Sequence, residues 1–200
     1  VQLVYWHYGE GPGCDDFMLK KHKDLNRDVI FAGGLWSWIG HMPENNYAFE
    51  TTKVAIDACK KHNLKEIMTT IWTNDGCEVD FFACLLGLSF TAEMAYSDCL
   101  NKEHLRSRFE ACTKGNYDAF WAMSEYHNIF DDNRTYDNFH QRFMGKHLFW
   151  QDILEGLFDQ ALYKNPLSQH YKKYTEFMSQ FDGEWVELYK HTQAIFDYLY

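Results

Sequence analysis

Clustered positive charge is what this sequence most clearly lacks. Nineteen Lys and Arg stand against 29 Asp and Glu, a net charge of −10. Nucleic-acid phosphates and anionic membrane surfaces both demand grouped Lys and Arg, so the balance argues against either partner. No apolar run reaches the 18 residues of a membrane-spanning helix, and no signal-peptide pattern is read at the start. Among ten histidines neither HxxxH nor HExxH occurs, so no metal site is expected. The GEGPG stretch at 9–13 lacks the Lys and helix register of a phosphate loop. No nucleophile elbow supports a Ser-His-Asp set. The six cysteines, Cys14, Cys59, Cys77, Cys84, Cys99 and Cys112, contain no CxxC pair. They read as reduced, mostly packed thiols of a cytoplasmic protein, with Cys77 and Cys84 at a spacing that suits one helix face. No cofactor is called for.

Aromatic residues, by contrast, are abundant, at 18% of the chain. Flat rings fill cores, but they also pack against the C–H faces of sugars, whose hydroxyls need polar neighbours. The stretch IMTTIWTNDGCEVDFF, 67–82, brings both needs together. An apolar, β-branched run leads into Trp72 and then into Asn74, Asp75 and Glu78.

Residues 1–97 read as β-α-β-α-β-α. Strands are expected at 2–6, 29–38 and 66–72, and helices at 15–26, 48–62 and 77–96, with Thr51 or Thr52 capping the second helix. The strands are apolar runs rather than alternating ones, which suits a parallel sheet buried on both faces. All three end in similar chemistry: Tyr-Trp-His-Tyr, Trp-Ser-Trp and Trp-Thr-Asn-Asp. In a TIM (β/α)8 barrel such ends converge on one mouth, where sites form. From about residue 98 only helical spacing remains, with turns at KGN, DDNR and KNPLS. The expected architecture is therefore α/β followed by all-α, with 1–97 as barrel units and 98–200 as a helical domain. Trp121, Trp150 and Trp185 read as mid-helix core residues.

The candidate site residues follow from the strand ends. Trp36 and Trp38, two apart in a strand, point to one face and make a platform or a packed pair; Gly33-Gly34 before them permits close approach or marks a bulge. Tyr5 and His7 likewise share a face. Asn74 and Asp75 can grip vicinal hydroxyls, or simply form the turn into the next helix. No carboxylate pair is placed as glycosidase acids require, because Asp75 and Glu78 would point apart.

The segments LVYWHYG, VIFAGGLWSWIG, TTKVAIDACKKHNLKEIMTTIWTNDGCEVDFFACLLGL and FTAEMAY resemble the last three βα units of the family 20 glycoside hydrolase barrel. They are similar to the bacterial β-N-acetylhexosaminidases that carry a helical C-terminal domain. The resemblance implies substrate-assisted retaining catalysis on terminal N-acetyl-β-hexosaminides, in which the acetamido oxygen attacks the anomeric carbon. It implies that Tyr5 bonds that oxygen and that Trp72 walls the acetamido pocket. His7, Trp36, Trp38, Asn74 and Asp75 would contact the sugar, with His7 and Asn74 standing where the family has acidic residues. The Asp-Glu catalytic pair belongs before Val1. The sequence opens in mid-strand and stops in full helical pattern, so it is expected to be a piece of a longer enzyme, inactive alone. Its open sheet edges should be covered by a homodimer, a swap or its own helices. The rival readings are a non-catalytic carbohydrate-binding protein on the same fold and a helical interaction module.

Overall fold

The computed structural model describes residues 1–9, 14–73, 78–127, 144–150, 152, 154–155 and 167–200. Three strands, β1 (Leu3–Trp6), β2 (Val29–Gly34) and β3 (Glu66–Thr70), form a parallel sheet in the order β1-β2-β3. The register sets Tyr5 beside Phe31 and Phe31 beside Ile67; one row on, it sets Trp6 beside Ala32 and Ala32 beside Met68. Two helices serve as crossovers, α1 (Cys14–Asp24) and α2 (Asn45–Lys61). They cover the face that carries Tyr5, Phe31 and Ile67, where Leu19, Ala55, Ala58 and Cys59 complete a core.

The opposite face is only partly covered. Val4, Trp6 and Met68, all apolar, stay exposed on it. Beside β3 runs a groove of about 700 Å³ lined by Ile67, Leu88, Ala92 and Ala95. Among the described residues, no further strand pairs with the outer edge of β1 or of β3.

After β3 the chain forms a 3₁₀ turn, Phe81–Cys84, opened by Asp80, which accepts the Phe82 N–H at 2.8 Å. Then come α3 (Leu85–Tyr96), α4 (Lys102–Thr113) and α5 (Tyr117–Ala122), the last running into a second 3₁₀ turn at Met123–Tyr126. The described remainder holds α6 (Met144–Trp150), α7 (Leu167–Met178) and α8 (Val186–Leu199). Phe49 of α2 stacks on Phe90 of α3 at 3.8 Å. The largest core gathers Leu35, Met42, Val79 and Leu86 with Phe109, Phe120, Tyr126 and Phe196, so buried contacts run across residue 97.

Several expectations need correction. The second strand stops at Gly34: the Leu35 N–H turns to the Thr70 carbonyl, and Trp36 takes a left-handed φ of 51°. Trp36 and Trp38 therefore sit in a turn, not a strand. The second helix starts at Asn45, because the Glu44 carboxylate accepts the Tyr47 N–H at 3.3 Å. Thr51 is no cap; its hydroxyl donates back to the Tyr47 and Ala48 carbonyls inside the helix. Cys84 lies in the 3₁₀ turn rather than on a long helix from 77, and Cys77 lies outside the described residues. The thiols divide: Cys59 and Cys84 are buried, Cys99 and Cys112 exposed. Trp150 is 70% exposed, and Trp185 stands at the start of α8 with its indole N–H on the Thr113 carbonyl. The KGN turn holds, with Lys114 left-handed and Asn116 capping α5. The DDNR turn lies outside the described residues.

Candidate functional site

The three strand ends bring five aromatic residues together. Side chains alternate along a strand, so Trp6 and Tyr8 leave β1 on the face opposite Tyr5. The ring of Trp6 stacks on that of Trp72, beyond β3, with centroids 5.9 Å apart and planes at 29°. Between them β2 offers only Ala32 and Gly34, a trough with no bulk to hold the rings apart. Tyr8 fills the trough and lies 4.8 Å from the Trp38 ring. Trp38 in turn lies 4.8 Å from Trp36, and Trp36 meets Tyr47 of α2 edge-on at 4.4 Å. A Cβ at Gly34 would come within 2.8 Å of Trp38 and 2.9 Å of Tyr8, so glycine is what admits this contact.

The Tyr8 hydroxyl is the hub of the cluster. It accepts the indole N–H of Trp6 and, at 2.5 Å, that of Trp72. Thr70 Oγ1 lies 3.2 Å away and gives its own proton to the Gly33 carbonyl at 2.9 Å. Tyr8 must then be the donor to Thr70, and its oxygen is saturated: two bonds accepted, one given. A ligand oxygen that takes the Tyr8 proton has to displace Thr70. Trp6 and Trp72 remain 45% and 42% exposed, so the stacked indoles present a flat apolar surface.

Tyr5 and His7 go elsewhere. Tyr5 is buried against the helices, and its hydroxyl donates to Asp15 Oδ1 at 3.0 Å. His7 Nδ1 lies 2.8 Å from the same oxygen, with its ring stacked 5.8 Å from Tyr5. The two share a face, as the spacing implies, but it is the helix-covered one, opposite Trp6, Tyr8 and Trp72. Trp36 is buried as the base of the cluster, while Trp38 and Trp72 belong to its open part. Asn74 and Asp75 lie outside the described residues.

The loops that carry these rings are tied down. The buried Ser37 hydroxyl donates to the Trp72 carbonyl at 2.8 Å. Glu78 pairs with Lys146 of α6 at 3.0 Å. His41 Nδ1 lies 2.6 Å from the Tyr126 hydroxyl; burial pushes the His41 pKa down and that of Tyr126 up. His127, fully buried, gives its Nε2 proton to the Met42 carbonyl at 2.9 Å, and Ser124 Oγ donates to the Pro43 carbonyl at 3.2 Å.

Tyr8, Trp6 and Thr70 are the site residues that strand-end reading passed over. Tyr-Trp-His-Tyr offers two alternating pairs, and only the side on which α1 and α2 pack decides which pair faces the site. Asp15 carried no signal at all, since it follows the strand across a loop. Among the described residues no three of His, Cys, Asp and Glu are placed to share a metal ion, and no helix is long and apolar enough to cross a membrane.

Residues 118–200 match the family model of the Glycoside Hydrolase 20C C-terminal domain. No curated protein matches the sequence. The matched stretch covers the 3₁₀ turn that grips the loop after β2, and it contains α6, which holds Glu78. Residues 118–200 are thus similar to a glycoside hydrolase 20C C-terminal domain, and they follow an α/β segment whose strand ends gather a tryptophan-tyrosine cluster.

Proposed function

We propose that this chain supplies the late-strand sugar wall of a β-N-acetylhexosaminidase built on a (β/α)8 barrel, acting on terminal N-acetyl-β-hexosaminides by substrate-assisted retaining catalysis. The observation that carries the reading is the Trp6–Tyr8–Trp38–Trp72 cluster at the carboxyl ends of three parallel strands, on a chain whose residues 118–200 match the 20C domain. The exposed Val4, Trp6 and Met68, and the strand edges that no described strand pairs, support further barrel strands beside β1 and β3, since parallel sheets are stable with both faces covered. A second copy of the chain covering those edges would meet the same need.

In this reading the indole faces take the apolar side of the sugar, and Trp72 walls the acetamido group. Tyr8 stands beside Trp72 and takes the part that the resemblance gave to Tyr5. When its hydroxyl turns from Thr70 to the acetamido oxygen, it holds that oxygen in line with the anomeric carbon that it attacks. The Asp-Glu pair that protonates the leaving group and steers the acetamido nitrogen would come from outside this chain. The helical-module reading is the weaker rival, because the helices share one core with the loops after β2 and β3. The non-catalytic binder differs from the enzyme only in the absent acids.

The test uses a longer protein that contains this chain and an upstream Asp-Glu pair. It should hydrolyse a chromogenic N-acetyl-β-glucosaminide, and the 200-residue chain alone should not. Tyr8→Phe in the longer protein should lower kcat by roughly 10²-fold, the cost that a misplaced reacting group can carry. Tyr5→Phe, which breaks the bond to Asp15, should leave kcat near wild type. The reverse ranking would return the role to Tyr5. Sugar binding without any turnover would favour the non-catalytic reading.

A further inference from the structure

We infer that Ser37 is a positioning residue for Trp72: its hydroxyl holds the Trp72 backbone so that the indole reaches Tyr8 and stacks on Trp6. What the wall binds rests on the sugar reading above; how the wall is held does not.

Ser37 stands between two tryptophans, in a turn where a small polar residue would ordinarily face water. It is instead 1% exposed. Its Oγ donates to the Trp72 carbonyl at 2.8 Å, across 35 residues of sequence. β3 ends at Thr70, so no ladder bond of the sheet orients residue 72. The last bond of the sheet region is Leu35 N–H to the Thr70 carbonyl at 3.1 Å, and Ser37 continues that line beyond the sheet. A side chain replaces the backbone donor because the turn has left the strand direction: Trp36 has a φ of 51°, and its carbonyl accepts the Glu44 N–H at 3.2 Å. A non-glycine residue in that conformation is strained and persists only where its surroundings enforce it. Here Tyr47 and Trp38 enforce it by packing on the Trp36 ring. The strained turn points Ser37 at Trp72, and Trp72 then spans to the Tyr8 hydroxyl and the Trp6 ring. One buried hydroxyl thereby couples the loop after β2 to the loop after β3.

The experiment follows the tryptophan indole N–H signals of the full 200-residue chain by NMR, with Trp6→Phe and Trp72→Phe used for assignment. Ser37→Ala removes the hydroxyl. Ser37→Cys keeps the volume but offers only a weak donor. Both variants should shift the Trp72 indole signal and speed its exchange with water about five-fold or more, as its bond to Tyr8 loosens. The Trp185 indole, held by the Thr113 carbonyl, serves as the internal control and should not move. A wild-type Trp72 signal in Ser37→Ala overturns the inference, and so does recovery in Ser37→Cys, which would make volume the cause. N-acetylglucosamine is then titrated into each protein. In wild type it should shift Trp72, and in Ser37→Ala its Kd should rise about three- to ten-fold. If the sugar leaves the wild-type Trp72 signal unmoved, the sugar reading fails for this chain, while the exchange comparison still decides the role of Ser37.

Discussion

Gly34 shows how much of the site depends on a single absent carbon. Its missing side chain lets Tyr8 and Trp38 close over β2, where any Cβ would press on three ring atoms at 2.8–2.9 Å. Both rings are anchored: Tyr8 by its hydrogen bonds, Trp38 by Trp36. Neither can yield cheaply, so Gly34→Ala should destabilise by about 1–3 kcal/mol, the usual cost of overpacking. Urea unfolding would measure that loss, and near-ultraviolet circular dichroism should show the Trp6–Trp72 stack disturbed. An unchanged urea midpoint would mean that the rings part freely. The sequence marked the glycine pair as a place of close approach or a bulge, and close approach is what Gly34 provides.

At the scale of elements, the joint between α3 and α4 shows a carboxylate stabilised by its neighbours. Glu93 is buried on α3. It accepts from Ser97 at 2.9 Å and lies 3.0 Å from His104 Nδ1 and 3.0 Å from Arg108 Nη1, both on α4. Burial alone would raise its pKa, but the Ser97 and His104 hydrogen bonds and the His104 and Arg108 charges outweigh burial and hold it below 4.5. A carboxyl whose folded pKa is depressed adds stability above its unfolded pKa and loses it as pH falls through the folded value. The melting-temperature gap between wild type and Glu93→Gln should therefore be wide at pH 7 and narrow progressively below about pH 4.5. A gap that stayed constant into acid would show that the charge of Glu93 contributes nothing. The sequence read helix over both stretches, with Leu105 and Phe109 at helical period, though it began the first at 77 and did not mark Asn101 as the cap of α4. It could not show that Glu93 is buried, since that depends on which neighbours arrive from another helix.

At the scale of the whole molecule, the helical part and the sheet are joined through the loop after β2. His127 is central to that joint, buried with its proton on the Met42 carbonyl, while Met42 lies in the same core as Phe196. Burial pushes its pKa from 6.5 down to about 4. Between those values the unfolded chain binds a proton that the folded chain refuses, so stability falls as pH drops from about 6.5 to 4. The loss should be on the order of 1–3 kcal/mol and should involve the entire fold. His127→Gln should flatten it, as seen in urea midpoints measured at pH 7 and pH 5. Equal slopes for the two proteins would mean that His127 takes no part in the acid response.

The sequence by itself determined the order of strands and helices, the parallel sheet, the helices of the described remainder and the concentration of aromatic and polar groups at three strand ends. These are local properties: apolar runs, helical spacing and turn residues act on near neighbours in the chain. The same segments carried the resemblance to family 20, with which the matched helical domain agrees. Only the tertiary structure decided which side of β1 faces the site. One face had to meet α1 and α2, and that choice put Tyr5 and His7 on Asp15 and left Trp6 and Tyr8 with Trp72. It also ended β2 early, because Trp36 gains more from Tyr47 and Trp38 than a continued strand would offer. Side-chain alternation is written in the sequence, but the face that becomes the inside depends on what packs against it.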